Sequence, residues 1–149
     1  MIIYDELKND HEAVKEMMIR IAEMSSRAST SKVKLFEEMK TALTAHVRAE
    51  EKVFYDAIKR DKRAHDAALE GYEEHHVADL LIREISRLAP GDEKWKAKFT
   101  VLKENVEHHV EEEEGEIWDK AREILDDAEA QQLGDAFVAE KEKLLANAG

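Results

Sequence analysis

Apolar residues recur along most of this chain with the period of an α-helix. Leu7, Val14, Met17, Met18, Ile21 and Met24 share one face, which predicts a first helix over about residues 4–26. Phe36, Met39, Leu43, Val53 and Phe54 mark a second over about 32–59. Leu69, Tyr72, Leu81, Ile82, Ile85 and Leu88 mark a third over about 62–88. In a fourth, about 93–125, Trp95, Phe99, Leu102 and Val106 step by 4, 3 and 4, the spacing of a core seam. The stretch from Asp126 to Ala146 reads as one more amphipathic helix. No segment alternates with the period of a strand.

The breaks between these patterns are short. "SSRASTS" at 25–31 interrupts the first pattern with small polar residues that also suit a helix N-cap. "APGD" at 89–92 stops one helix with Pro and Gly, and Asp92 can cap the next. Long helices joined by short loops pack as antiparallel neighbours. The expected fold is therefore all-α: an up-down-up-down four-helix bundle over residues 1–125. A C-terminal helix, 126–149, is expected to pack on that bundle or extend it. Each main helix would be roughly 30–45 Å long at about 1.5 Å per residue.

Composition agrees and narrows the chemistry. There are 149 residues, enough for one domain with a real core, and only 5 Gly and 1 Pro to break helices. The absence of cysteine removes disulfides, iron–sulfur clusters, thiol catalysis and cysteine zinc sites together. A net charge of -12 repels phosphate backbones, so nucleic acid is not expected as a partner, whereas cations are well tolerated. No apolar run approaches the roughly 20 residues of a membrane span, so no membrane association is expected. The opening "MIIYDELKND" lacks the basic and apolar regions of a signal peptide, and a cytoplasmic location is expected.

The chain also repeats itself. "HVRAEEKVFY" (46–55) aligns with "HVEEEEGEIW" (109–118), placing His46 on His109, Glu50 on Glu113 and Tyr55 on Trp118. Upstream, "DH" at 10–11 aligns with "EH" at 74–75, with matching apolar positions after each histidine. Two helical hairpins of one design result, each offering one histidine from its first helix and a His-x-x-x-Glu from its second. The seam of the fourth helix continues from Val106 through His109 to Glu113, so those two side chains point inward. His46 and Glu50 continue the second helix's seam in the same way.

Four histidines and two carboxylates aimed into one core are costly to bury unpaired, and a metal ion removes the cost. Imidazole and carboxylate without sulfur suit iron, manganese or zinc. A lone core histidine is usually a hydrogen-bonded structural residue, and a lone His-x-x-x-Glu is often a surface pair. Here six of the seven histidines fall in four clusters, one per main helix, which argues against coincidence. His75 is preferred to His76 and His109 to His108, because only those keep the repeat; His108 with Glu112 remains a competing pair. His65 is unmatched and reads as surface. Glu111, Glu112 and Glu114 lie off the seam and read as a solvated face. Tyr72, three residues before His75, could reach the site but reads first as core filling; Asp10 and Glu74 could orient the histidines but read first as exposed acids.

The order H…HxxxE…H…HxxxE, carried by "DH", "HVRAEE", "EH" and "HVEEEE", resembles the hemerythrin-like, or HHE cation-binding, family over about residues 10–120. The resemblance implies a non-heme di-iron centre: two iron ions joined by an oxo or hydroxo bridge. By motif position its ligands would be His11, His46, Glu50, His75, His109 and Glu113, with Glu50 and Glu113 bridging. Counting ligands leaves each iron a position for water, dioxygen, peroxide or nitric oxide. Oxygen-carrying members have a fifth histidine one turn from the other on their third helix, where this chain has Gly71 and Asp79. That departure favours family members linked to peroxide breakdown or nitric-oxide chemistry over reversible oxygen carriage. Family members that repair iron centres add a cysteine-bearing segment that is missing here. The leading expectation is catalase-like peroxide breakdown; the alternatives are non-catalytic oxygen or nitric-oxide sensing or iron holding, and a metal-free interaction bundle. A monomer or weak homodimer is expected.

Overall fold

The computed structural model describes residues 1–25 and 30–148. The chain runs through α1 (Ile3–Glu23) and α2 (Thr30–Glu50). A π-helical turn (Glu51–Tyr55) follows, then the short α3 (Asp56–Ile58) and α4 (His65–Ser86). Next come α5 (Glu93–Glu112), a second π turn (Glu113–Ile117), α6 (Trp118–Ile124) and α7 (Asp127–Ala148). No strand occurs among the described residues. The helices pair α1 with α2, α4 with α5, α1 with α5 and α2 with α4, which closes the antiparallel bundle. The fifth long helix, α7, lies against α1 and α2.

The four helical patterns and the tail helix fall where the periodicity put them, within a few residues. Asp92 caps α5, its carboxylate accepting from the Lys94 backbone N–H at 2.8 Å. Residues 26–29 of "SSRASTS" lie outside the described residues. The third helix begins at His65 rather than 62, because Asp61 accepts from the Arg63 backbone N–H (2.9 Å) and guanidinium and holds the chain in a turn. Leu69, expected inside, is 46% exposed. The inner face of α4 is instead made of Ala67, Ala68, Gly71, His75, Ala78, Ile82 and Ile85. Small residues there let α4 approach its neighbours closely.

Two apolar clusters fill the bundle, one toward each end. One gathers Ile3, Leu7, Phe54, Ile58, Ile117, Trp118 and Phe137. The other gathers Val14, Met18, Phe36, Met39, Ile82, Ile85, Phe99 and Leu102. Between them, at the middle of every main helix, lies a polar layer.

Gly134 sets how closely α7 approaches the start of α1. A Cβ there would run into the Met1 carbonyl oxygen and lie 2.9 Å from the Ile2 carbonyl carbon. Backbone yields less readily than a side-chain tip. Gly134→Ala is therefore expected to destabilise the fold by about 1–3 kcal/mol through overpacking, despite alanine's better helix propensity. Urea unfolding checks this, and an unchanged midpoint would contradict the close contact.

Candidate metal centre

The polar layer contains the six side chains singled out by the repeat. His11 comes from α1, His46 and Glu50 from α2, His75 from α4 and His109 from α5, with Glu113 opening the second π turn. All six are buried, and both glutamates are fully so. His76 and His108 are exposed. His108 Nε2 pairs with Glu112 at 3.0 Å, and ligand atoms of these two and Glu74 lie within 4.8 Å of one another on the outer side of the bundle. His65 is exposed as expected, its Nδ1 2.9 Å from the Lys59 carbonyl oxygen.

Each buried imidazole is oriented by a carboxylate from a neighbouring helix. Nδ1 of His11 is 2.8 Å from Glu114 Oε2, and that of His46 is 2.9 Å from Asp10 Oδ2. Nδ1 of His75 is 2.9 Å from Glu51 Oε2, and that of His109 is 3.0 Å from Glu74 Oε1. A carboxylate at Nδ1 fixes that nitrogen as an N–H donor and turns Nε2 inward, where it can coordinate once its proton is displaced. Asp10 and Glu74, expected to be exposed acids, are thus ring-holding groups, as is Glu114, expected on a solvated face. Glu51 carried no expectation and does the same work. The sequence held the signal: all four acids stand beside a buried residue at matching places in the repeat.

Inside the layer the rings form two pairs. His11 and His46 have centroids 4.9 Å apart, and His75 and His109 4.7 Å apart. Glu50 lies between the pairs. Its oxygens are 3.9 Å from His11 Nε2, 3.4 Å from His46 Nε2, 3.1 Å from His75 Nε2 and 4.0 Å from His109 Nε2. Glu113 lies 3.9 Å from His11 Nε2 and 3.1 Å from His109 Nε2. Three buried atoms here have no hydrogen-bond partner: His46 Nε2 and both carboxylate oxygens of Glu50. Buried polar atoms are nearly always satisfied, so an imidazole nitrogen and a carboxylate without well-formed hydrogen bonds at one point suit coordination of a cation. One ligand atom each from His11, His46 and Glu50 lies within 4.8 Å of the others, and the same holds for Glu50, His75 and His109. Both sets could hold a metal ion.

Sequence reading missed the groups that grip Glu113. Tyr55 Oη donates to Glu113 Oε2 at 3.1 Å and has His109 Nε2 at the same distance. Trp118 Nε1 donates to Glu113 Oε1 at 3.3 Å. Both residues follow a seam glutamate by five positions. In a regular α-helix that is about 140° around the axis, far from the glutamate's face. The second π turn, with its i→i+5 bonds, brings Trp118 back beneath Glu113, while Tyr55, in the equivalent turn after Glu50, reaches across the bundle to the same carboxylate.

The model of the hemerythrin HHE cation binding domain family matches residues 2–121. The chain belongs to that family. A crystal structure titled as a hemerythrin HHE cation binding domain-containing protein, the Rv2633c homolog from Mycobacterium kansasii, is similar over 99% of this chain and 90% of its own. Its TM-score is 0.85 at 25% identity. The uncharacterized protein Rv2633c of Mycobacterium tuberculosis is 31% identical over 97% of this chain and 88% of its own length. A DNA nickase of Nostoc sp. is 28% identical over 97% of this chain, which spans 40% of that protein's length.

The electrostatics of this HHE domain follow from burial and close pairing. Burial alone would push His46 down; the charge of Glu50 and the hydrogen bond to Asp10 overcome it and raise His46 to about 10. Burial also opposes His109, but Glu113, Glu50 and Glu74 raise it to about 12. Burial and the nearby charge of Glu50 push Glu113 up. Burial pushes the Tyr55 hydroxyl well up, and the Glu113 and Glu50 charges push it further, so it stays a donor. Any cation entering the site competes with these protons.

Beside the four rings lies a cavity of about 30 Å³. Val14, Leu43, Val47, Ala78 and Val106 make its apolar wall. It has room for about one water-sized molecule. Among the described residues, no helix is long and apolar enough to cross a membrane.

Proposed function

We propose that this HHE domain holds two iron ions, with His11, His46, Glu50, His75, His109 and Glu113 as their ligands, and that it breaks down hydrogen peroxide. The observation that carries the reading is the pairing of imidazoles on either side of the bare carboxylate of Glu50, next to a cavity of small-molecule size. Residues 1–125 are taken as the cation-binding bundle and 126–149 as a helix laid on it. Iron with nitrogen and oxygen ligands would supply a one-electron couple and open coordination positions. The chain's own contributions are structural and electrostatic. Asp10, Glu51, Glu74 and Glu114 hold the rings with Nε2 inward. Tyr55 and Trp118 clamp Glu113. The apolar wall admits a molecule of a few atoms and excludes larger reductants.

Peroxide breakdown balances without a co-substrate: two molecules give two waters and one dioxygen. Iron-loaded protein is expected to evolve one dioxygen per two peroxides, at a rate well above that of the same concentration of free iron, measured with an oxygen electrode. Evolution no faster than free iron would remove the catalytic reading. A reversible spectral change of the reduced protein under dioxygen or nitric oxide would then support sensing or iron holding. DNA nicking is not carried over, because this chain matches less than half of that relative and its net charge of -12 opposes a phosphate backbone.

A further inference from the structure

The two hairpins repeat, but α7 covers only one of them. Its side chains reach the polar layer at His46. Phe137, fully buried, meets the His46 ring edge-on, with centroids 5.6 Å apart at 74°. One turn further along α7, Lys141 Nζ donates to Asp10 Oδ1 at 2.6 Å, while Asp10 Oδ2 holds His46 Nδ1 at 2.9 Å. Lys52 and Glu140, 3.2 Å apart, tie the same stretch of α7 to the π turn after Glu50.

Nothing equivalent exists in the second hairpin. Glu74, which corresponds to Asp10 and holds His109, pairs with no lysine or arginine among the described residues, and neither does Glu114. Glu51 has Arg48 at 3.7 Å, beyond hydrogen-bonding reach. Asp10 is thus the one ring-holding carboxylate with a cation bonded to its far oxygen. A carboxylate held at one oxygen alone can swing about its Cα–Cβ and Cβ–Cγ bonds. Held at both, it presents a fixed acceptor to the imidazole.

We propose that Lys141 is a positioning residue: through Asp10 it fixes the His46 imidazole, so that α7 sets the His11–His46 pocket apart from the His75–His109 pocket. The proposal rests on the reading of the six side chains as cation ligands. Outer partners of ligating histidines typically change metal affinity by about 10–100-fold when removed, and Lys141 stands one step further out, so about tenfold is expected.

The test uses zinc alone as probe, because it is redox-silent. Nitrogen-15-labelled full-length protein is titrated with zinc, and the histidine Nδ1–H signals are followed by NMR. K141M is expected to weaken one of two binding steps about tenfold and to speed solvent exchange at the His46 Nδ1–H, leaving His109 unchanged. K141R is expected to restore both. Lys141 is partly exposed, so the fold should survive its replacement. An unchanged His46 signal in K141M, or equal loosening of all four imidazoles, would overturn the proposal. A wild-type chain that binds no zinc or iron would overturn the proposed function by itself. The His46 signal, readable without metal, then decides the Lys141 link by the same comparison.

Discussion

Replacing Glu50 with glutamine is expected to reduce metal uptake from about two ions per chain to well under one. Glu50 is the side chain whose oxygens lie within 4.0 Å of all four buried imidazoles. It belongs to both buried groups able to hold a cation, whereas each buried histidine belongs to one; a third, more exposed group joins Glu74, His108 and Glu112. An amide keeps the shape but removes the negative charge and turns one acceptor into a donor. Two adjacent cations would then have only Glu113 to offset their repulsion. His46→Ala is expected to behave differently, because the His75–His109 side keeps its ligands: about one ion should remain. His65→Ala serves as the control, since that imidazole is exposed, rests on the Lys59 carbonyl oxygen and, among the described residues, belongs to no group able to hold a cation. Metal analysis after loading and desalting distinguishes the three. Equal uptake by Glu50→Gln and His65→Ala would rule out a shared carboxylate. So would a one-ion loss from Glu50→Gln that matches His46→Ala.

Much of this arrangement could be read before any coordinates, and the parts that could not share a physical reason. The helices were legible because the chain has few breakers and a steady apolar period. The six inward groups were legible because seam positions extrapolate along a regular helix: Val106 predicts His109, and His109 predicts Glu113. Extrapolation fails where the helix stops being regular. The π turns after Glu50 and at Glu113 shift the register downstream: Trp118 comes under Glu113, which helical arithmetic places on another face, and Tyr55 is turned toward Glu113 across the bundle, which no arithmetic along one helix predicts. The four ring-holding acids were hidden differently. Each lies on a helix flank, half-covered, where a carboxylate looks the same in sequence whether it faces water or a neighbouring helix's imidazole. Only the repeat marks them, as the acids that stand next to each buried seam residue. Leu69 shows the opposite error: an apolar residue at a plausible position faces outward because Ala68 and Gly71 set the face of α4.

Gly71 carries the second large effect. The family resemblance makes it, with Asp79, one of two positions a turn from His75 where a further histidine could stand; in this structure the space in front of it is filled by the ring of Tyr55. A Cβ on Gly71 would lie 2.7 Å from Tyr55 Cε2 and Cζ and 2.8 Å from Oη. A tyrosine tip could ordinarily move aside. This one is fully buried and stacked on the His75 ring at 5.4 Å and 18°, with Tyr72 5.5 Å away and Phe54 5.8 Å away. Gly71→Ala is therefore expected to cost about 1–3 kcal/mol by overpacking and to pull the hydroxyl off Glu113. Tyr55→Phe leaves the ring in place and removes only the donor, which should cost about 0.5–1.5 kcal/mol. The decisive comparison is a double-mutant cycle in urea unfolding. In a Tyr55→Leu background the clash is gone, and Gly71→Ala should become neutral or stabilising by up to about 1 kcal/mol through helix propensity. If Gly71→Ala instead costs the same in both backgrounds, its effect does not pass through the ring. Tyr55 would then be ordinary core filling, and the short α4 residue would have to be explained by helix packing alone.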